Sequence, residues 1–296
     1  MLHLIMVTLT SLLPSSGLGK GVIDRPIQRD QATALPTIYG SSVKGAIKSY
    51  LIRKGDRERV ERVLGGEEGG ETIPSKVSIG DALLTALPVP SRDRFIVWLV
   101  PKINLLRMLS YIRDLRLCER DLEYEVNNKF NLYTIGGPDP KDSDPNDEKT
   151  NVMDSVIPLK ELEDSKLKKA TSILVDSLDK TFGEMFEEYN MILLENKYVR
   201  HFIEKGLGKR ARIKIDYETG TVESGKLWYE EYYPPYTVFF VPVLPTRTCE
   251  HRNLPERDVC ELFRDLSGKT VPFGGSLTVG MGFTKVYMLG DMLDLI

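Results

Sequence analysis

Asp24 is the residue on which a chemical reading of this sequence turns. It is the only carboxylate between Gly21 and Arg29 in the run GVIDRPIQRD, with Lys20, Arg25 and Arg29 around it. Pro26 resists helix and biases Arg25 the same way, so the segment stays extended. An acid among arginines can be a solvated ion pair in a turn. It can also be a base, or a ligand for a divalent metal, in a loop that holds phosphate. Cleavage through a ribose 2′-hydroxyl asks for little more than this: backbone held in line, a base near the hydroxyl and positive charge near the phosphate. One carboxylate is too few for a two-metal site.

Four other stretches carry candidate contacts. Gly40-Ser41-Ser42-Val43-Lys44-Gly45 opens an amphipathic segment, with Lys48 one turn on. Free N–H groups, the helix dipole, two hydroxyls and ammonium groups suit a phosphate there, although a serine cap with solvated lysines has the same pattern. The P-loop spacing is absent. Phe273 to Phe283 contains four glycines, including Gly280 and Gly282, which allow close backbone approach to a ligand or simply a tight turn. The run leads into a strand, not a helix, so it is no dinucleotide fingerprint. Lys209, Arg210 and Arg212 open a basic strand, either an RNA-facing edge or a charge-protected one. Leu227 to Pro235 is rich in aromatics that can stack on bases or fill a core, and it holds Glu230 and Glu231. No hydrolase triad emerges around His3, His201 or His251, and His3 reads as a packing residue.

These residues need a scaffold, and the sequence outlines one. MLHLIMVTLT reads as a first strand rather than a signal peptide. A long irregular segment, 11–40, precedes a helix with Val43, Ala46, Ile47, Tyr50 and Leu51 at helical spacing. Residues 53–72 look like a solvated loop insertion. Strands are expected at 77–89 and 94–100, a helix over 102–125, a second loop insertion at 136–151 and helices across 159–189. Strands follow at 191–195, 212–217, 226–231, 236–243 and 283–289, with a short helix at 255–266. Asp216–Gly220 is a turn signal, so 212–231 reads as a hairpin. The order points to an α+β domain with an antiparallel sheet.

Composition sets limits. The chain has 296 residues, 41% hydrophobic and 28% charged, which fits a globular protein with a substantial core. No apolar run reaches membrane-spanning length. Cys118, Cys249 and Cys260 are too few and too far apart for a disulfide framework, which implies a reducing, cytoplasmic setting. The loose group Cys249, His251 and Cys260 lacks zinc-knuckle spacing. A net charge of −3 excludes a basic field over the whole protein, so any nucleic acid must meet a local patch.

The order of four blocks resembles a known family. VIDRPIQRD, then TALPTIYGSSVKGAIK, then LWYEEYYPPYTVF, then GGSLTVGMG are similar to the RAMP superfamily of CRISPR proteins. Within it they resemble the repeated backbone subunit of the type III-B effector. The resemblance covers both ends of the chain, while roughly 55–190 carries little of it. It implies a single domain over 1–296 with a ferredoxin-like, RRM-related palm, large insertions and a thumb hairpin, here placed at 209–231. It implies an endoribonuclease acting within a complex, with copies stacked in a filament along a guide RNA and complementary target RNA cut at regular intervals. Asp24 maps onto the aspartate required for cutting, with Glu230 or Glu231 in support. Arg29, Ser41, Ser42 and Lys44 map onto guide-phosphate contacts; Lys20, Arg25, Lys48, Lys209, Arg210, Arg212, Gly280 and Gly282 complete the expected RNA-binding set. The expected cofactors are a divalent metal, taken as Mg2+, and guide RNA. The expected partners are target RNA, further copies of the chain and other subunits of the type III-B complex, with no membrane. Many relatives carry a histidine in a T-x-x-H context upstream of the aspartate, where this chain has Thr10-Ser11-Leu12-Leu13. The competing readings are a structural RNA-binding protomer with an inert Asp24, and a nuclease that processes precursor RNA alone.

Overall fold

In the computed structural model, residues 2–19, 21–68, 70–114, 130–135, 148–186, 188–246 and 257–292 are described. β1 (Leu4–Thr8) and β2 (Thr37–Ile38) precede α1 (Gly40–Arg53) and α2 (Arg57–Leu64). Three short strands, β3 (Gly66–Glu68), β4 (Glu71–Ile73) and β5 (Val77–Ile79), lead to β6 (Ala82–Ser91) and β7 (Phe95–Pro101). Next come α3 (Lys102–Asp114), β8 (Phe130–Ile135), β9 (Glu148–Val152), β10 (Ser155–Glu161), α4 (Ser165–Phe182), β11 (Tyr189–Leu194) and α5 (Asn196–Gly206). The last third holds β12 (Gly208–Ile215), β13 (Val222–Tyr232), β14 (Val238–Val241), β15 (Val243–Pro245), α6 (Arg257–Leu266), β16 (Lys269–Pro272), β17 (Phe283–Met288) and α7 (Leu289–Met292).

Four strands form the palm in the order β17-β1-β14-β6, every neighbouring pair antiparallel. α1 lies between β1 and β6 in the chain, and α6 between β14 and β17. Two such split βαβ units make the ferredoxin-like arrangement that the resemblance implied. The strands are buried on both faces. Leu4 and Met6 point into a core with α1, α2, α5 and α6. Their neighbours Ile5 and Val7 point the other way, into a core with α3 and α4. This alternation is the period-two rule applied to a sheet covered on both sides.

Beyond β6 the sheet continues as β7-β11-β8-β10-β9. β11 is parallel to both β7 and β8, so the sheet is mixed rather than antiparallel throughout. All six residues of β11 are buried, which is the mark of a central strand covered by crossover helices. Residues 53–72 also differ from the loop expected there. They form α2 and the β3–β4 hairpin, and α2 buries Val60, Val63 and Leu64 against the core. Within 159–189, Leu159–Glu161 closes β10 as a strand, and the helix starts only at Ser165, capped by the Asp164 carboxylate. The expected helix over 102–125 is described to Asp114; its remainder, residues 136–147, Cys118, Cys249 and His251 lie outside the described residues. Cys260 sits half-buried on α6.

His3 is buried as expected, and its Nδ1 accepts a hydrogen bond from the Val243 N–H at 3.1 Å. Burial lowers its pKa to about 4, opposed only in part by a backbone contact with Tyr111. The unfolded chain therefore binds a proton near pH 6.5 that the folded chain refuses, so His3 contributes stability present above pH 6.5 and lost as pH falls toward 4. His3→Asn keeps the acceptor and removes the titration. Chemical denaturation between pH 7 and 4 should show wild-type stability falling by up to about 1.4 kcal/mol per pH unit more steeply than the variant.

Candidate nucleic-acid interface and cleavage site

The loop holding Asp24 is built by its own backbone and by β13. Residues 14–19 fold back on 21–28: Ser16 N–H donates to Pro26 O at 3.0 Å, and Gly19 N–H to Asp24 O at 2.8 Å. Arg25 then pairs in parallel with Glu230 on β13. Arg25 N–H donates to Tyr229 O at 3.0 Å, and Glu231 N–H to Arg25 O at 3.1 Å. The half-buried Asp24 is thereby held beside the hairpin, where its Oδ2 accepts the Tyr229 N–H at 2.7 Å. Among the described residues Oδ1 has no hydrogen-bond partner.

The hairpin is the expected one. β12 and β13 pair from Gly208↔Tyr232 to Ile213↔Leu227, and the Asp216 carboxylate caps the turn by accepting the Glu218 and Thr219 N–H groups. Cross-strand partners share a face. Arg210, Arg212, Trp228 and Glu230 lie on one side, and Ala211, Ile213, Leu227 and Tyr229 on the other. The aromatic run divides accordingly. Tyr233 is in the core, Trp228 is half-buried under the Arg25 guanidinium, and Tyr229 is 41% exposed.

The two glutamates are committed to arginines. Glu230, 1% exposed, accepts from Trp228 Nε1 at 2.9 Å and Arg210 Nη2 at 3.2 Å, and pairs with Arg25 at 3.4 Å and Arg212 at 3.7 Å. Burial acts to raise its pKa, but the indole and Arg210 hydrogen bonds and the two hairpin guanidinium charges outweigh it and hold the carboxyl below the usual glutamate range. Glu231, 3% exposed, receives Arg29 Nη2 on both oxygens, at 3.0 and 2.9 Å, and the Ile27 N–H at 3.3 Å. Arg29 also grips Glu204 of α5 through both its terminal nitrogens. Its guanidinium is therefore clamped between two acids in this fold. Arg210 and Arg212 both face Glu230, and Arg210 also meets the Met281 sulfur.

α1 begins two residues earlier than a cap at Ser41 would place it. Tyr39 is the N-cap and carries no side-chain cap. The Gly40 N–H goes instead to Asp81 Oδ1 at 2.7 Å, and a Cβ at Gly40 would lie 2.3 Å from Ile79 O. Ser41 and Ser42 thus sit exposed in the first turn. Lys44 and Lys48 follow on an open groove of about 1060 Å³ shared with α2 and the β3–β4 hairpin. Partial burial, then the charge of Lys48, lowers the pKa of Lys44. Gln28 ties this helix to the Asp24 loop. Its amide accepts the Tyr39 N–H at 2.6 Å and donates to Ser42 Oγ at 3.1 Å and Ser15 O at 3.3 Å. Gln28 has little signal in the sequence beyond its place two residues after Pro26.

The glycine loop packs on the Ser11–Leu13 segment. Gly282 N–H donates to Ser11 O at 2.8 Å, its carbonyl accepts the Phe273 N–H at 2.9 Å, and Gly275 N–H reaches Leu13 O at 2.9 Å. The backbone groups of Gly282 are used internally, while Gly280 lies exposed at the tip. Leu12 and Leu13 are core residues. Lys20 lies outside the described residues, and Lys209 is exposed beside the basic face of α5.

The donor set does not fit a metal held by the protein. Asp24 offers one free oxygen, and Glu230 and Glu231 are engaged by arginines. Among the described residues no three His, Cys, Asp or Glu side chains gather around a common point. Among them too, no helix is long and apolar enough to cross a membrane.

The family model of the RAMP superfamily matches residues 6–285. The chain belongs to the RAMP superfamily. Among curated RAMP relatives, it is 33% identical over 290 residues to the CRISPR system Cmr endoribonuclease Cmr4 of Pyrococcus furiosus, covering 95% of this chain and 93% of that one. It is 28% identical to the CRISPR system CMR subunit Cmr4 of Saccharolobus solfataricus, covering 91% and 90%. Among solved structures, it resembles a chain of the type III-B Cmr-beta complex bound to cognate target RNA, with a TM-score of 0.70, 25% identity and 98% of both chains covered. The apo state of that complex gives 0.72 at the same identity and coverage. The RAMP palm therefore carries the Asp24 loop, the hairpin and the glycine loop on one set of connected elements.

A Cβ at Gly282, where φ is +86°, would lie 2.0 Å from Phe273 O, whereas at Gly280, φ +81°, it meets nothing within 4 Å. Gly280→Ala should cost about 1 kcal/mol of backbone strain and Gly282→Ala clearly more, about 3 kcal/mol or above, in thermal or denaturant unfolding. Glu230→Gln should destabilise the fold by about 1–3 kcal/mol at neutral pH by leaving guanidinium groups underpaired. Because the folded-state pKa of Glu230 is depressed, its contribution is present above the ordinary value near 4.5 and lost as pH falls below it. The variant's deficit should therefore shrink in acid, which denaturation at pH 7 and pH 3.5 would read.

Proposed function

We propose that the chain is the repeated backbone subunit of a type III-B CRISPR effector, an RNA-guided endoribonuclease that binds guide RNA along a filament and cuts paired target RNA at Asp24. The observation that carries the reading is the state of the Asp24 carboxylate. One oxygen is fixed by the Tyr229 N–H and the other is free, in a loop bounded by Arg25 and the hairpin arginines. The Pyrococcus relative named as a Cmr endoribonuclease and the Cmr-beta chain bound to target RNA support it.

In this reading Asp24 Oδ1 takes the proton of a ribose 2′-hydroxyl as that oxygen attacks the adjoining phosphorus. The bond from phosphorus to the 5′-oxygen breaks, and the leaving oxygen takes a proton from water. The products are a 2′,3′-cyclic phosphate and a 5′-hydroxyl. Arg25 is half-exposed and meets the charge developing on the phosphate. Glu230 and Glu231 act as positioning residues: they fix Arg25 and Arg29, and through them the loop. No protein-held metal enters this sequence, and no histidine of the described residues contacts Asp24. Guide pairing supplies the sequence information, so base-specific protein contacts are not required. Ser41, Ser42, Lys44 and Lys48 on the first turns of α1 meet guide phosphate in this reading, and the hairpin is the thumb.

A structural protomer with an inert Asp24 is favoured by one feature: Leu13, at the position where the family resemblance implies a histidine, is a buried core leucine. The same experiment separates the two. Complexes assembled on guide RNA with wild type, Asp24→Ala or Asp24→Asn are given labelled target RNA. The expected result is unchanged target binding with cleavage reduced by a factor of about 10² or more, the scale of a general base. A regular ladder of products that survives both substitutions would leave Asp24 as a loop-fixing ion and move the chemistry elsewhere.

A further inference from the structure

α5 carries a second charged feature that the Asp24 loop and the hairpin do not use. Lys197, Arg200, His201 and Lys205 stand on one side of the helix, and with Lys209 of β12 they line an open groove of about 510 Å³. Val199, Phe202 and Ile203 on the opposite side are buried, so the helix cannot turn this face away from solvent. Among the described residues Arg200, Lys205 and Lys209 form no ion pair, and Lys197 reaches only the ring of Tyr198, 4.7 Å away. The one acid in the groove, Glu204, has both oxygens taken by Arg29. On the neighbouring helices α2 and α6 four surface arginines are paired. Arg57, Arg59, Arg62 and Arg257 all meet acids of α2 or α6. A cluster of uncompensated cations repels itself and gains most from a polyanion that supplies the missing charge. The groove is open and lined by long flexible side chains, unlike the enclosed apolar pocket of a small molecule.

We infer that this face of α5, with Lys209, is a seat for consecutive phosphodiesters of an RNA strand passing the Asp24 loop. The inference rests on the proposed RNA-binding function and adds to it the residues Lys197, Arg200 and Lys205. From Lys197 to Lys205 the helix advances about 12 Å, the length of about three nucleotides at about 3.4 Å each. The seat is mechanically tied to the cleavage loop. Glu204 grips Arg29, Arg29 grips Glu231, and Glu231 is bonded through its backbone to Arg25, the residue after Asp24. A strand held on α5 is thus held relative to Asp24 by three side chains and one backbone bond.

The test compares the triple variant Lys197→Ala/Arg200→Ala/Lys205→Ala with a control of equal charge change, Lys160→Ala/Lys166→Ala/Lys169→Ala, on the strand β10 and helix α4. Binding of guide RNA during assembly, and of target RNA by guide-loaded complex, is measured against salt concentration. Single-strand phosphate contacts contribute a slope of about 0.7 each in log K against log salt, so the α5 variant should lose about 2 units of slope and the control none. The single variants Arg200→Ala and Lys205→Ala, each expected to lose about 0.7, cover the case in which the triple variant folds poorly. Loss confined to guide binding assigns the seat to the guide strand, and loss confined to target binding assigns it to the target; 4-thiouridine placed in either strand should then crosslink to residues 196–206. An α5 variant with wild-type slopes on both strands overturns the seat while leaving the Asp24 reading intact. A wild-type protein that binds no RNA in any assembly overturns the function on which the seat rests.

Discussion

Two adjacent glutamates are almost wholly buried at the base of the hairpin, and the site depends on how their charge is met. Removing a carboxylate from water costs several kcal/mol unless it is paired and hydrogen-bonded. Glu230 is met from its own hairpin by Arg210, Arg212 and Trp228, and from the loop by Arg25. Glu231 is met by Arg29, which α5 grips in turn through Glu204. Each acid therefore recruits an arginine from the 24–30 loop, so the loop has one low-energy position. Asp24 is the acid left over: it lies in the same loop, but its partner is a single backbone N–H. The network leaves one carboxylate oxygen free and fixes where it is.

That division of labour was only half legible in the sequence. Asp24 stood out because it is a lone acid in a proline-held basic loop, and local composition shows that directly. The partners of Arg29 did not, because Glu204 and Glu231 lie 175 and 202 residues away along the chain. A guanidinium that will be clamped and one that will meet phosphate read identically until the fold closes. The same limit applies to Glu230 and Glu231, whose position in an aromatic strand suggested catalytic support but whose burial and pairing could not be inferred. The face of α5 was legible in principle from Lys197, Arg200, His201 and Lys205 at helical spacing. The denser set of basic residues in strand 209–214 is the stronger local signal and masks it.

The palm was more accessible than its extension. β1, α1, the hairpin and β14 each carry a strong local period or turn signal, and the family resemblance placed them in ferredoxin-like order. The parallel strand β11 gave an apolar run without alternation, which marks burial on both sides but not direction. Parallel pairing depends on crossovers, and the crossovers here pass through α3 and α4. Residues 53–72 misled for another reason. Charge and glycine dominate the segment, yet three apolar residues at helical spacing, Val60, Val63 and Leu64, are enough to dock α2 on α1 and α6. Net hydrophilicity describes the exposed side of such a helix and hides the buried one.

A net charge of −3 is no obstacle to holding RNA, because what matters is which cations lack partners. Arg57, Arg59, Arg62 and Arg257 meet the acids of α2 and α6 at short range, and at physiological salt their fields die away within about 8 Å. The hairpin arginines are largely spent on Glu230. Among the described residues the cations without acidic partners include Lys44 and Lys48 on α1 and Lys197, Arg200, Lys205 and Lys209 around α5. Gln28 joins the first group to the Asp24 loop, and Arg29 joins the second. Two basic surfaces thus flank Asp24, one tied to its loop by Gln28 and the other through Glu204, Arg29 and Glu231. In the proposed function, an RNA strand seated on either surface has its position relative to Asp24 set by hydrogen bonds already made in the protein, so the ordering cost of placing the scissile phosphate is met during folding rather than at each encounter.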